Sequence, residues 1–275
     1  MEDVTGALEA VDGTVLFTRR WRANPPRAVV LIVHGLGEHS GRYGHVGGFF
    51  ADRGLETVAF DLRGHGRSGG SRVDIDDFTT YLQDLAKVID TEVVPMDLPW
   101  VLYGHSMGGL IGALHLEGTE RQPTAAVLSA PALDADVPPP LKIAAEVFGR
   151  VAPGLRFPNS INGEQLSRDP RVGEAYFADP LVETKTTARF GRGLFAAQRR
   201  AREAIDAIAL PTLVVHGAED ELVPPSASAP LAAVEGIERK LLPGLRHEVH
   251  NEPEHLEVLR DVAAWIDAAL DQTSP

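Results

Sequence analysis

Short apolar runs recur along the chain, separated by longer stretches of helical period. Leu8 to Val11 and Thr14 to Trp21 read as two antiparallel strands joined at Asp12-Gly13, a strong hairpin signal. Ala28 to Val33 is apolar throughout, as a strand at the centre of a sheet must be. Arg42 to Asp52 can be the helix that follows it, and Leu55 to Phe60 the next strand. Phe78 to Val94 has helical periodicity, with Asp76 or Asp77 able to cap it. Trp100 to Tyr103 is again a buried strand, and it runs through Gly104-His105-Ser106-Met107-Gly108 into a helix over Met107 to Leu116. Ala125 to Ser129 is a further strand. This alternation predicts a parallel sheet with helices on both faces.

After Ser129 the pattern changes. From roughly Leu133 to Ile208 no strand is convincing. Pro138-Pro139-Pro140 opens a helical stretch over Leu141 to Val151, and two further helical pieces lie around Val172 to Phe177 and Thr186 to Ala207. Alternation resumes with Pro211 to Val215, Ser226 to Val234, Glu238 to Leu242 and Leu256 to Leu270. The expectation is an α/β fold with a mostly parallel eight-stranded sheet: two strands at the start, then six in parallel register. Residues 1–133 and 208–275 form its core, and 134–207 form a helical cap inserted over the sheet.

The chain has 275 residues, 44% of them hydrophobic, which suffices for one sizeable core with an insertion. It has no cysteine, so thiolate metal sites and cysteine nucleophiles are excluded. A net charge of -13 without basic clusters argues against nucleic acid as a partner. The first residues carry no signal-peptide pattern, and no apolar run is long enough to span a bilayer; a cytoplasmic protein is the expectation.

Gly104 to Gly108 is a G-x-S-x-G match between a strand and a helix. The flanking glycines let the backbone turn sharply and lift the Ser106 hydroxyl above the sheet at a helix N-terminus. The plain reading of Ser106 is an ordinary helix cap, and the strand and helix around it favour the nucleophile. A serine nucleophile needs a general base, and the base needs an orienting acid. Loops beyond the carboxyl ends of later strands are where these should stand. For the acid, Asp220 is preferred, since it sits just past the Gly217 turn; Glu219 and then Asp134 compete with it. For the base, His247 is preferred over His250 because it lies nearer its strand end. The order serine, acid, histidine results. Oxyanion donors would be the Met107 N–H and the Leu36 N–H of His34-Gly35-Leu36-Gly37, although Gly35 and Gly37 also read as plain loop glycines.

Two other patterns carry less. Gly64-His65-Gly66-Arg67-Ser68-Gly69 matches G-x-G-x-x-G, but no helix starts directly on it, which argues against a dinucleotide site. The histidines from His247 to His255 lack H-E-x-x-H spacing, so neither a metal nor another cofactor is expected.

Three motifs together resemble the α/β-hydrolase superfamily, and within it the monoacylglycerol lipases. They are HGLGEHSGRY at His34 to Tyr43, DLRGHGRSGG at Asp61 to Gly70 and GHSMGG at Gly104 to Gly109. Leu166 to Pro170 and Ala178 to Val182 are similar to cap segments of bacterial members. The resemblance implies Ser106, Asp220 and His247 as the triad. It also implies Glu38, Arg42 and His250 as contacts for glycerol hydroxyls, since those positions match residues that line the head-group pocket in the mammalian enzymes. A local ion pair is the plain alternative for Glu38 and Arg42. The implied reaction is hydrolysis of monoacylglycerol to fatty acid and glycerol without a cofactor, with the cap resting on a membrane or micelle surface. A broader carboxylesterase or lysophospholipase could use the same triad, and a catalytically silent binding protein could share the scaffold. Oligomeric state and acyl-chain preference are not encoded legibly.

Overall fold

A computed structural model describes residues 3–118, 120–134, 137, 139–159 and 161–273. Pro138, named above, lies outside them. The order of elements is β1 (Val4–Glu9), β2 (Val15–Trp21), β3 (Ala28–Val33), α1 (Gly44–Ala51), β4 (Leu55–Phe60), α2 (Thr79–Val88), β5 (Trp100–His105), α3 (Met107–Leu116) and β6 (Ala125–Ser129). Then come α4 (Pro139–Val151), β7 (Arg156–Pro158), α5 (Gly163–Leu166), α6 (Pro170–Ala178), β8 (Lys185–Thr187) and α7 (Ala188–Glu203). The chain closes with β9 (Thr212–Gly217), β10 (Ile237–Leu242) and α8 (His255–Thr273).

The main sheet has eight strands in the order β1-β2-β4-β3-β5-β6-β9-β10. β1 and β2 pair antiparallel, β2 runs antiparallel to β4, and the six strands from β4 to β10 are parallel. Alternation along each strand sends neighbours to opposite faces. Leu31, Leu102 and Leu128 pack under α2, α3 and α7, whereas Ile32, Tyr103 and Val127 pack under α1 and α8. Burial on both faces explains the unbroken apolar runs of β3, β5 and β6.

Local chemistry moved several boundaries. The helix expected from Arg42 begins at Gly44, because Ser40–Tyr43 is a tighter 3₁₀ turn capped by the His39 ring. The one expected over Phe78 to Val94 is regular only to Val88; it widens to a π turn over Ile89–Val93 and closes as 3₁₀ at Val94–Met96, where Pro95 removes a donor. Asp77 Oδ1 accepts the Thr79 N–H at 2.9 Å, while Asp76 is engaged by Arg189. The stretch expected over Ser226 to Val234 is a 3₁₀ helix, Pro225–Ala233, with Pro230 inside it. Between β6 and β9 two strands occur after all: β7 and β8 form a three-residue antiparallel ladder, too short to leave a period in the sequence. The four-residue α5, held by an Asn162–Gln165 capping box, was equally illegible. Among the described residues no helix is long and apolar enough to cross a membrane.

Candidate active site

Ser106 sits between β5 and α3 with φ 53° and ψ -116°, a conformation that side chains rarely adopt. It holds because the surroundings over-determine it. The Ser106 N–H donates to the Ser129 carbonyl at 2.9 Å, and its own carbonyl accepts from Leu110 and Ala132. Close packing demands the flanking glycines: a methyl group on Gly104 would collide with the Gly108 carbonyl, and one on Gly108 with the Val33 carbonyl. The first turn of α3 therefore rests directly on β5 and β3.

Beyond β9, the Asp220 carboxylate is buried and accepts four hydrogen bonds. Oδ1 takes the Leu222 and Val223 N–H groups, both at 2.9 Å. Oδ2 lies 2.7 Å from His247 Nδ1 and 3.1 Å from His216 Nε2. Gly217 makes this approach feasible, since a Cβ there would strike the carbonyls of Leu245 and Arg246. Burial alone would raise the Asp220 pKa, but His247, His216 and the backbone donors hold it well below the usual carboxylate range. Burial pulls His247 down, yet the Asp220 charge and hydrogen bond, with Glu248 and Glu38 farther off, raise it above its ordinary value.

Ser106, His247, Leu36 and Met107 line one cavity of about 370 Å³. Its walls include Pro158, Ile161, Leu166, Phe190, Leu194 and Phe195 from the segment between β6 and β9. Among the described residues the Leu36 N–H has no protein acceptor, and Met107 opens α3, where an N–H has no partner inside its helix. Leu36 and Met107 thus each bring an N–H without a protein acceptor, among the described residues, to the cavity that Ser106 lines. Ser106 Oγ itself makes no hydrogen bond among the described residues. Such bonds commonly tighten only when substrate binds.

Glu38 also lines the cavity. It accepts the Gly35 N–H at 2.6 Å and the Tyr43 hydroxyl at 2.7 Å, so it braces the loop that carries Leu36. Arg42 and His250 lie one layer behind the wall. Arg42 reaches Glu38 Oε2 at 2.6 Å and clasps both oxygens of Glu248 at 2.6 and 2.7 Å, with its guanidinium over the Tyr176 ring. Burial would raise Glu248, but Arg42 holds it far below its usual range; Glu38 is lowered by Arg42 in the same way. His250 is fully buried, stacked on Tyr43 at 5.0 Å and edge-on to His105 at 4.7 Å, and neither ring nitrogen has a hydrogen-bond partner among the described residues. Burial, then His105, pushes it well below the ordinary imidazole range.

Of the competing candidates, Asp134 pairs with Lys142 and Arg202, and the Glu219 carboxylate makes no contact with His247. The loops after β3 and β4 lock together: Asp61 accepts from Ser40 N–H, Ser40 Oγ and Arg67 N–H, and His34 Nε2 accepts from Leu62 N–H. The G-x-G-x-x-G segment is thus a brace for the loop bearing Leu36. Sequence reasoning missed Glu248, Tyr176 and His216. Only His216 left a local trace, four residues before Asp220.

Residues 24–254 match the Hydrolase_4 family, described as serine aminopeptidase S33. The chain belongs to this α/β-hydrolase family. Within it, the chain is 41% identical over 252 residues to a monoacylglycerol lipase of Mycolicibacterium smegmatis, covering 89% of this chain and 90% of that one. It is 31% identical over 257 residues to the phospholipase YtpA of Bacillus subtilis, covering 90% and 98%. A crystal structure of Paleococcus ferrophilus monoacylglycerol lipase superposes with a TM-score of 0.82 at 30% identity, covering 98% and 100%. This α/β-hydrolase therefore shares both sequence and fold with lipid-ester hydrolases over nearly its whole length.

Proposed function

We propose that the chain is a serine hydrolase that cleaves monoacylglycerols to fatty acid and glycerol. One observation carries the reading: a strained serine and a histidine bonded to a buried carboxylate share a cavity with two free backbone donors. His247 Nε2 takes the Ser106 proton as Oγ attacks the ester carbonyl. The Leu36 and Met107 N–H groups receive the charge that develops on the carbonyl oxygen. His247 then gives its proton to the leaving glycerol oxygen, and water, activated in the same way, releases the acid from Ser106. Asp220 holds the imidazole with its proton on Nδ1 throughout.

Residues 134–207 act as the cap. Their apolar side chains cover the acyl chain, and Glu38 accepts a glycerol hydroxyl, with Arg42 and His250 setting the layer behind it. The Mycolicibacterium smegmatis and Paleococcus ferrophilus relatives support the glyceride over other esters. The phospholipase relative favours a second reading, a lysophospholipase with the same triad. The outer face of the cap supports contact with lipid surfaces. On α4, Ile143 and Val151 are 64% and 72% exposed with Val147 between them, a stripe one residue wide at four-residue spacing, and Phe148 and Phe157 adjoin it. A fluorophosphonate probe should label the wild type and not Ser106→Ala. Turnover of monoacylglycerol, p-nitrophenyl butyrate and lysophosphatidylcholine should rank in that order. An unlabelled wild type would sink the hydrolase reading, and a preference for the lysolipid would sink the glyceride.

A further inference from the structure

His216, the penultimate residue of β9, is fully buried and belongs to no step of the reaction above. Its Nε2 lies between two groups that can only accept: Asp220 Oδ2 at 3.1 Å and the Val223 carbonyl at 2.9 Å. A ring nitrogen facing two acceptors must carry the proton. On the other side, Nδ1 lies 2.8 Å from Ser228 Oγ, which also accepts from Arg239 Nε at 3.0 Å. Ser228 Oγ also lies 3.2 Å from the Pro225 carbonyl, which Arg239 Nη2 already reaches at 2.5 Å, so the hydroxyl hydrogen has its shorter contact at Nδ1. A string of hydrogen bonds thus runs from Arg239 on β10 through Ser228 and His216 to the oxygen that His247 uses.

We propose that His216 is a positioning residue for the hydrolytic reaction: its Nε2–H clamps Asp220 so that Oδ2 stays aimed at His247. The inference rests on the assignment of Asp220 and His247 given above. The geometric reason is specific. Oδ1 is fixed by two backbone amides, which still allow the carboxylate to pivot about that oxygen. A donor on Oδ2, from a strand residue with no room to move, removes the remaining freedom. Loss of the donor would also leave the Val223 carbonyl and one lone pair of Asp220 facing each other in a dry site, and the carboxylate would turn to relieve them.

Two substitutions of similar volume separate positioning from filling space. His216→Leu keeps the bulk and loses the donor; His216→Gln keeps an N–H at the end of its side chain. With p-nitrophenyl butyrate, His216→Leu should lower kcat by about 10- to 100-fold with KM within about 2-fold, whereas His216→Gln should stay within about 3-fold of wild type. A folded His216→Leu with wild-type kcat overturns the proposal, and so does a His216→Gln as impaired as the Leu variant. Should the Leu variant not fold, the wild type itself gives the answer. A long-range ¹H–¹⁵N spectrum of histidine-labelled protein, with the His216 signals identified by their loss in His216→Gln, must show Nε2 protonated; a neutral ring protonated on Nδ1 alone overturns the proposal. Asp220→Ala, assayed alongside, tests the reading beneath: wild-type turnover there would sink the triad, whatever His216 does.

Discussion

Arg42→Leu should be the most damaging single change outside the reacting groups. The guanidinium is the only cation within hydrogen-bond reach of two buried carboxylates among the described residues, with three N···O contacts of 2.6 to 2.7 Å. Glu38 and Glu248 are 3% exposed at their side chains. Removing one partner of a buried ion pair costs about 3–5 kcal/mol, because a charge is left without compensation. Two carboxylates are stranded here, but each keeps other donors: Gly35 N–H and Tyr43 for Glu38, Asn251 for Glu248. We therefore expect about 4 kcal/mol, which for a domain of this size lowers Tm by roughly 8–16 °C. The sign with pH is also fixed. In the wild type both carboxyl groups titrate below their unfolded values, so their contribution is full above the ordinary carboxylate range, begins to fall there, and is lost as pH drops through the depressed folded values. In the variant, burial without the cation raises them, so the deficit against wild type should shrink as the pH is lowered toward 5. Calorimetric melts at pH 8 and pH 5 test this, and adding Glu248→Gln to the variant should recover stability. A Tm loss below about 3 °C, or a deficit independent of pH, would refute the reasoning.

Further outcomes follow from the same geometry. Because Asp220 raises His247 above its ordinary pKa and only the neutral ring can accept a proton, kcat/KM should climb with pH along an acid limb centred above 6.5. In Asp220→Asn the limb should move down, since burial then prevails, and kcat should fall by about 10⁴-fold; a limb that stays put contradicts the assignment. Gly108→Ala should cost about 1–3 kcal/mol by forcing α3 off the Val33 carbonyl, and should slow fluorophosphonate labelling; an unchanged melt would mean that the contact is slack. Ile143→Asp with Val151→Asp should leave p-nitrophenyl butyrate hydrolysis unchanged and weaken partitioning onto phosphatidylcholine vesicles by more than about tenfold, from the loss of two side chains worth about 1.5–3 kcal/mol each when buried. Equal partitioning would remove α4 from any role at a lipid surface.

Much of the fold was readable because its signals are local. The strand ending at the elbow and the helix Met107–Leu116 follow from an apolar run, two glycines and a clean period. The six-strand parallel register follows from alternation alone. The illegible parts are those in which short range and long range disagree. β7 and β8 exist only because they find each other across the chain, Arg156 pairing with Thr187 and Pro158 with Lys185. The same holds at the site. Ser106, Leu36, Met107, Glu38 and His247 face the cavity, and each comes from a motif with an evident turn. Arg42 and His250 share those motifs yet point behind the wall, since a motif gives a position and not a side-chain direction. Glu248 could not be singled out at all: its partner Arg42 is 206 positions away.

The segment between α6 and α7 grips the loop that follows β3. Glu183 N–H donates to the Gly37 carbonyl at 2.8 Å, Asp179 meets His39 Nε2 at 2.9 Å, and Gly37 stands next to Leu36. A hinge that lifted residues 176–183 to admit substrate would drag on the peptide beside an oxyanion donor. Entry and turnover are then mechanically opposed at this edge: the door cannot swing here without spoiling the lock. The contact between α4 and α7, where Gly149 admits the Arg192 side chain and Gly191 faces Ala145, involves no such donor, so a shift of α4 there would leave the Leu36 peptide undisturbed.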